Sequence, residues 1–79
     1  MDKTKKIIGL ISRIVGIKES AISLESDFFS DLNVSKIELL DLLTKVQKEF
    51  SIQISQESLA KIKTVGNLLN AVEEFSDEF

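Results

Sequence analysis

An all-α bundle of four helices, the third short, with a long loop between the first and second, is the fold this 79-residue sequence predicts. Three observations carry the prediction. Apolar residues recur at helical spacing in three separate stretches, and an S-x-x-E signature, Ser35 to Glu38, opens the strongest of them. The one alternating stretch, Ile52 and Ile54 beside Ser51 and Gln53, has no second strand to pair with and reads as an extended connector.

The first helix is expected over 3–15. Ile7, Leu10, Ile11, Ile14 and Val15 share one face and Ile8 widens it, with Asp2 as N-cap and Gly16 as the left-handed residue that ends the helix. From Gly16 to Val34 no period is sustained. A loop this long is uncommon in a small domain, so Ile17, Ile22, Leu24, Phe28, Phe29 and Leu32 are expected to pin it. Ser35 caps helix two, whose apolar face is read as Ile37, Leu40, Leu43, Val46 and Phe50, with Leu39 and Leu42 alongside. Ser55 caps a short third helix through about Ala60. Thr64 caps a fourth carrying Val65, Leu68, Leu69 and Val72, and the tail from Phe75 to Phe79 is expected to fray.

No proline, repeat or low-complexity tract divides the chain, so residues 1–79 read as one domain. Apolar residues are 43% and charged residues 29%, as in an ordinary globular protein. No apolar run approaches a membrane span, and the lysines at 3, 5 and 6 lead into an amphipathic pattern without a cleavage site; the chain reads as cytoplasmic and monomeric. Without cysteine there is no thiol of its own, and without histidine the usual general base and metal ligand are missing. No catalytic residue and no metal site is expected. A net charge of −3 with basic and acidic residues interspersed gives no stripe for nucleic acid.

Phe28, Asp31-Leu32, Phe50, Ile52, Ile54, Lys61-Ile62 and Thr64-Val65-Gly66, with Gly16-Ile17-Lys18 upstream, form a combination that resembles the acyl carrier proteins over nearly the whole chain. The resemblance implies a non-enzymatic four-helix carrier. In that family a serine at the start of helix two bears phosphopantetheine through a phosphodiester, loaded by a phosphopantetheinyl transferase and served by acyl-transferring or synthase enzymes of fatty acid or related acyl metabolism.

Aligned without gaps, the family's Asp-Leu-Gly-Ala-Asp-Ser-Leu becomes Asp31-Leu32-Asn33-Val34-Ser35-Lys36-Ile37. Lys36 stands at the serine position, and its amine cannot form the phosphodiester, which needs a hydroxyl. Two readings of Ser35 follow: a helix cap alone, or a cap that also serves as the attachment hydroxyl one residue early. The first fits an interaction protein without a prosthetic group that derives from a carrier fold; the second fits a carrier with a displaced site. The family's helix two presents an acidic docking face. Here Glu38, Asp41 and Glu49 are balanced by Lys36, Lys45 and Lys48, so docking through Lys36, Glu38, Asp41, Lys45 and Lys48 is expected to differ from the family's.

Overall fold

The computed structural model describes residues 3–76. Helix α1 spans Lys3–Ile11 and runs on into a π-wound turn over Ser12–Gly16; a 3₁₀ turn over Glu19–Ala21 follows, then α2 (Lys36–Phe50), α3 (Gln56–Leu59) and α4 (Val65–Phe75). The only β pairing among the described residues is an isolated bridge between Asp27 and Thr64. The all-α bundle with a short third helix is therefore the fold adopted, while the expected cap Asp2 and the tail beyond Ser76 lie outside the described residues. Phe75 does not fray: it closes α4 and packs half-buried against the core.

The end of α1 departs from the expected pattern. A π turn takes more residues than an α turn, so side chains beyond it fall behind the α-helical phase. Ile7, Leu10 and Ile11 are buried, whereas Ile14 and Val15, which would continue the stripe, are only half-buried. Gly16 then turns the chain at φ +83°, where a glycine avoids the Cβ clash of an L residue.

Helix α2 buries Leu39, Leu42, Leu43 and Val46, spaced i, i+3, i+4 and i+7. Ile37 and Leu40, expected in that face, are instead 80% and 51% exposed. At 100° per residue Ile37 points away from the stripe and Leu40 lies on its flank. The first turn of α2 thus projects beyond the core. Lys6 of α1 pairs with Glu49 at 3.6 Å and lies 5.1 Å over the Phe50 ring, joining the far end of α2 to α1.

The long loop is held from both sides. Ile22, Phe28, Leu32 and Val34 are buried in the one core cluster, and a fully buried aromatic of this kind contributes roughly 1.5–3 kcal/mol. Backbone bonds then tie the loop to the start of α4: the Phe28 amide donates to Lys63 at 2.8 Å, Val65 to Ser26 at 3.0 Å and Gly66 to Leu24 at 2.8 Å. A Cβ on Gly66 would meet the Leu24 carbonyl oxygen at 3.0 Å, so the residue keeps this approach open. Inside the loop, Asp27 accepts from the amides of Phe29 and Ser30 at 2.8 and 3.0 Å, and these bonds, Ser30's foremost, hold its carboxyl below the usual carboxylate range.

Candidate functional site

The loop delivers the chain to the N-terminus of α2 through two fixed residues. Val34 is buried and donates its amide to the Phe28 carbonyl at 2.8 Å, and Asn33 before it adopts a left-handed φ of 56° that turns the backbone outward. Ser35 follows as the N-cap. Its Oγ accepts from the Glu38 amide at 3.1 Å, while its own amide donates to Glu38 Oε1 at 2.9 Å, the reciprocal pair of a capping box.

The cap does not exhaust the Ser35 hydroxyl. The capping bond uses Oγ as an acceptor and leaves its hydrogen and a second lone pair, and the residue is exposed. It lies at the positive end of a 15-residue helix, where an anion bonded to Oγ is favoured by the dipole. Lys36, next in sequence, is also exposed, and a cation in the first turn costs a few tenths of a kcal/mol against that dipole.

Beside Lys36 a groove of about 360 Å³ opens between α2 and α3. Leu39, Leu40 and Leu43 line one side and Leu59 and Ile62 the other, with Phe29 of the loop at its edge. Sequence reasoning did not find this groove: Leu59, Ile62 and Lys63 lie far from Lys36 along the chain, and only the packing of α3 against α2 brings them together. The outward placement of Leu40 is part of the same arrangement.

The five residues expected to dock partners, Lys36, Glu38, Asp41, Lys45 and Lys48, are all exposed on α2. Their charges are not equally available. The Glu38 carboxylate is turned to the Ser35 amide, and Asp41 and Lys45 neutralise each other across 2.9 Å, one helical turn apart. Lys36 and Lys48 make no ion pair among the described residues. Among those residues there is also no grouping of three or more metal-ligating side chains, and no helix is long and apolar enough to cross a membrane.

Comparison with known proteins bears on this end of α2. The family described as "Phosphopantetheine attachment site" matches residues 5–72. The acyl carrier protein of Petrotoga mobilis is 34% identical over 70 residues, covering 89% of this chain and 82% of that protein. That of Coprothermobacter proteolyticus is 32% identical over 69 residues, covering 87% and 84%. A solved Mycobacterium tuberculosis chain assigned as an acyl carrier protein superposes with a TM-score of 0.85 at 29% identity, over 92% of this chain and 97% of its own.

Proposed function

Because the chain belongs to the acyl carrier protein family, whose members carry acyl groups on covalent phosphopantetheine and are not themselves enzymes, we propose that it is a working carrier whose attachment residue is Ser35. The observation that carries this reading is the exposed Ser35 hydroxyl at the N-terminus of α2, one residue before the groove-lining Lys36.

The residues present fit the group. Once bound, it supplies the thiol that this cysteine-free chain lacks, and with it a thioester linkage for the acyl chain. Ser35 Oγ attacks the pantetheine-side phosphorus of coenzyme A, the bond to adenosine 3′,5′-bisphosphate breaks, and the hydroxyl proton passes to a base on the transferase. Ser35 Oγ, which accepts from the Glu38 amide at 3.1 Å, would hold the group at the positive end of the helix dipole, where a phosphodiester anion would be favoured. The apolar walls of the groove offer the acyl chain shelter from water. The partners in this reading are a phosphopantetheinyl transferase and the acyl-transferring or synthase enzymes of fatty acid or related acyl metabolism, met by a cytoplasmic monomer.

A second reading rests on Lys36. A cation where the family's serine is expected, with Ser35 engaged as a cap, suits a prosthetic-group-free interaction protein that docks through Lys36, Glu38, Asp41, Lys45 and Lys48. Intact-mass spectrometry after incubation with coenzyme A and a broad-specificity transferase separates the two. The carrier reading expects one phosphopantetheinyl unit, mapped by peptide sequencing to Ser35 and absent from Ser35→Ala. No gain beside a modified control carrier supports the second reading, and a gain that survives Ser35→Ala overturns the assignment of Ser35.

A further inference from the structure

Helix α2 has a second groove on its other side. Leu39, Leu40 and Leu43 line the side towards α3, whereas Asp41, Lys45 and Lys48, about half a turn round the helix, line a furrow towards the end of α1. Three clefts there share walls and join: Arg13 and Glu49 belong to the first and second, Ile14 and Lys45 to the second and third. The central cleft encloses about 360 Å³ over an apolar floor of Leu10 and Ile14. The π-wound turn over Ser12–Gly16 makes this floor, because it leaves Ile14 half-buried beside the furrow, and such turns are frequent at functional sites.

The charges of the central cleft do not cancel. Glu49 is engaged with Lys6 at 3.6 Å and Lys45 with Asp41 at 2.9 Å. Arg13 and Lys48 make no ion pair among the described residues, so two exposed cations flank the apolar floor without an anion of the chain's own. Carboxylates stand at both ends of the furrow, Glu19 at one and Glu38 at the other, and a nucleic acid laid along it would meet both. The exposed large apolar side chains that would enter a lipid surface, Leu24, Phe29, Ile37 and Leu40, lie outside it. What fits is a short stretch of polypeptide with anions only at its centre. We propose that this α1–α2 furrow docks an acidic, leucine-bearing segment of a protein partner, an apolar side chain resting on Leu10 and Ile14 and carboxylates meeting Arg13 and Lys48. The whole chain carries a net charge of −3, so its overall field opposes such a segment and only this local pair attracts it. Neither Ser35 nor Lys36 lines the furrow, and docking there stands or falls separately from the attachment residue.

The test titrates unmodified full-length protein with capped peptides of one leucine pattern whose polar positions are all glutamate, all glutamine or all lysine, followed by calorimetry and amide chemical shifts. The glutamate peptide is expected to bind tightest and the lysine peptide weakest, with shifts at the end of α1 and along Lys45, Lys48 and Glu49. Added salt is expected to weaken the glutamate peptide, as for an attraction between exposed charges. Arg13→Gln and Lys48→Gln are each expected to weaken it by up to about fivefold, as for loss of one exposed ion pair, and to leave the glutamine peptide unchanged. Lys36→Gln and Ser35→Ala, on the other side and at the end of α2, are expected to change neither. Equal affinity for the glutamate and glutamine peptides, an unchanged affinity in the Arg13→Gln, Lys48→Gln double variant, or shifts confined to the α2–α3 groove would overturn the proposal. So would the absence of any shift with the glutamate peptide, or a preference for anionic phospholipid vesicles or a thymidine oligonucleotide over it.

Discussion

Helices α2 and α4 begin with the same device and put it to different uses. Ser35 and Thr64 each accept from the third helical amide at 3.1 Å, and Glu38 and Asn67 each reach back to the cap. Around Thr64 the first turn is sealed: Val65 is buried, and three backbone bonds bind this end to the long loop. Around Ser35 the first turn stands open, with Lys36, Ile37 and Glu38 exposed. Local capping chemistry therefore does not distinguish a sealed helix start from an open one. What packs over the cap does.

The sharpest way to break this contrast is to remove the side chain that anchors the sealed end. Phe28→Ala is expected to cost about 4 kcal/mol, a large share of the stability of so small a domain, and a urea titration followed by circular dichroism measures it. The two caps themselves provide the finer comparison. Thr64→Ala is expected to cost about 1.5 kcal/mol because the bridge to Asp27 loosens with it, and Ser35→Ala only about 0.5 kcal/mol. Thermal melts should separate the two by several degrees, and equal losses would show that packing around a cap does not matter here. The smallest effect belongs to the open turn: Ile37→Ser should change stability by less than about 0.5 kcal/mol in the same titration.

The contrast also explains what could and could not be read from the residues. Four helices and three of their caps were legible, because Ser35 and Thr64 each precede an apolar period, Ser55 opens a short polar turn, and local hydrogen bonds suffice to express all three caps. The inner face of α2 was not fully legible. Its run of isoleucine and leucines at 37, 39, 40, 42 and 43 supports two helical phases, and only packing into the shared core selects the one that leaves Ile37 and Leu40 outside.

In the loop, Ile22, Phe28 and Leu32 pin the chain as expected, but Leu24 and Phe29 are 38% and 41% exposed. Much of the fastening comes instead from backbone bonds to Ser26, Leu24 and Lys63, which carry no residue signature. At the candidate site Ser35 was visible through its capping partner. The groove was invisible because Lys36 and Lys63 come together only in three dimensions.

The stitching of the loop to α4 has a consequence for how the protein is made. Leu24, Ser26 and Phe28 leave the ribosome long before Lys63, Val65 and Gly66, the residues that receive or return their hydrogen bonds. Helix α2 can wind locally as soon as it emerges, yet the segment that aims its first turn has no partner until the C-terminal helix is out. Such non-local closure comes late in folding, because loop entropy must be overcome before the contacts repay it. The end of α2 that carries Ser35 is thus framed only once α4 has emerged, and a nascent chain still lacking α4 presents that serine without the backbone bonds that hold the loop before it.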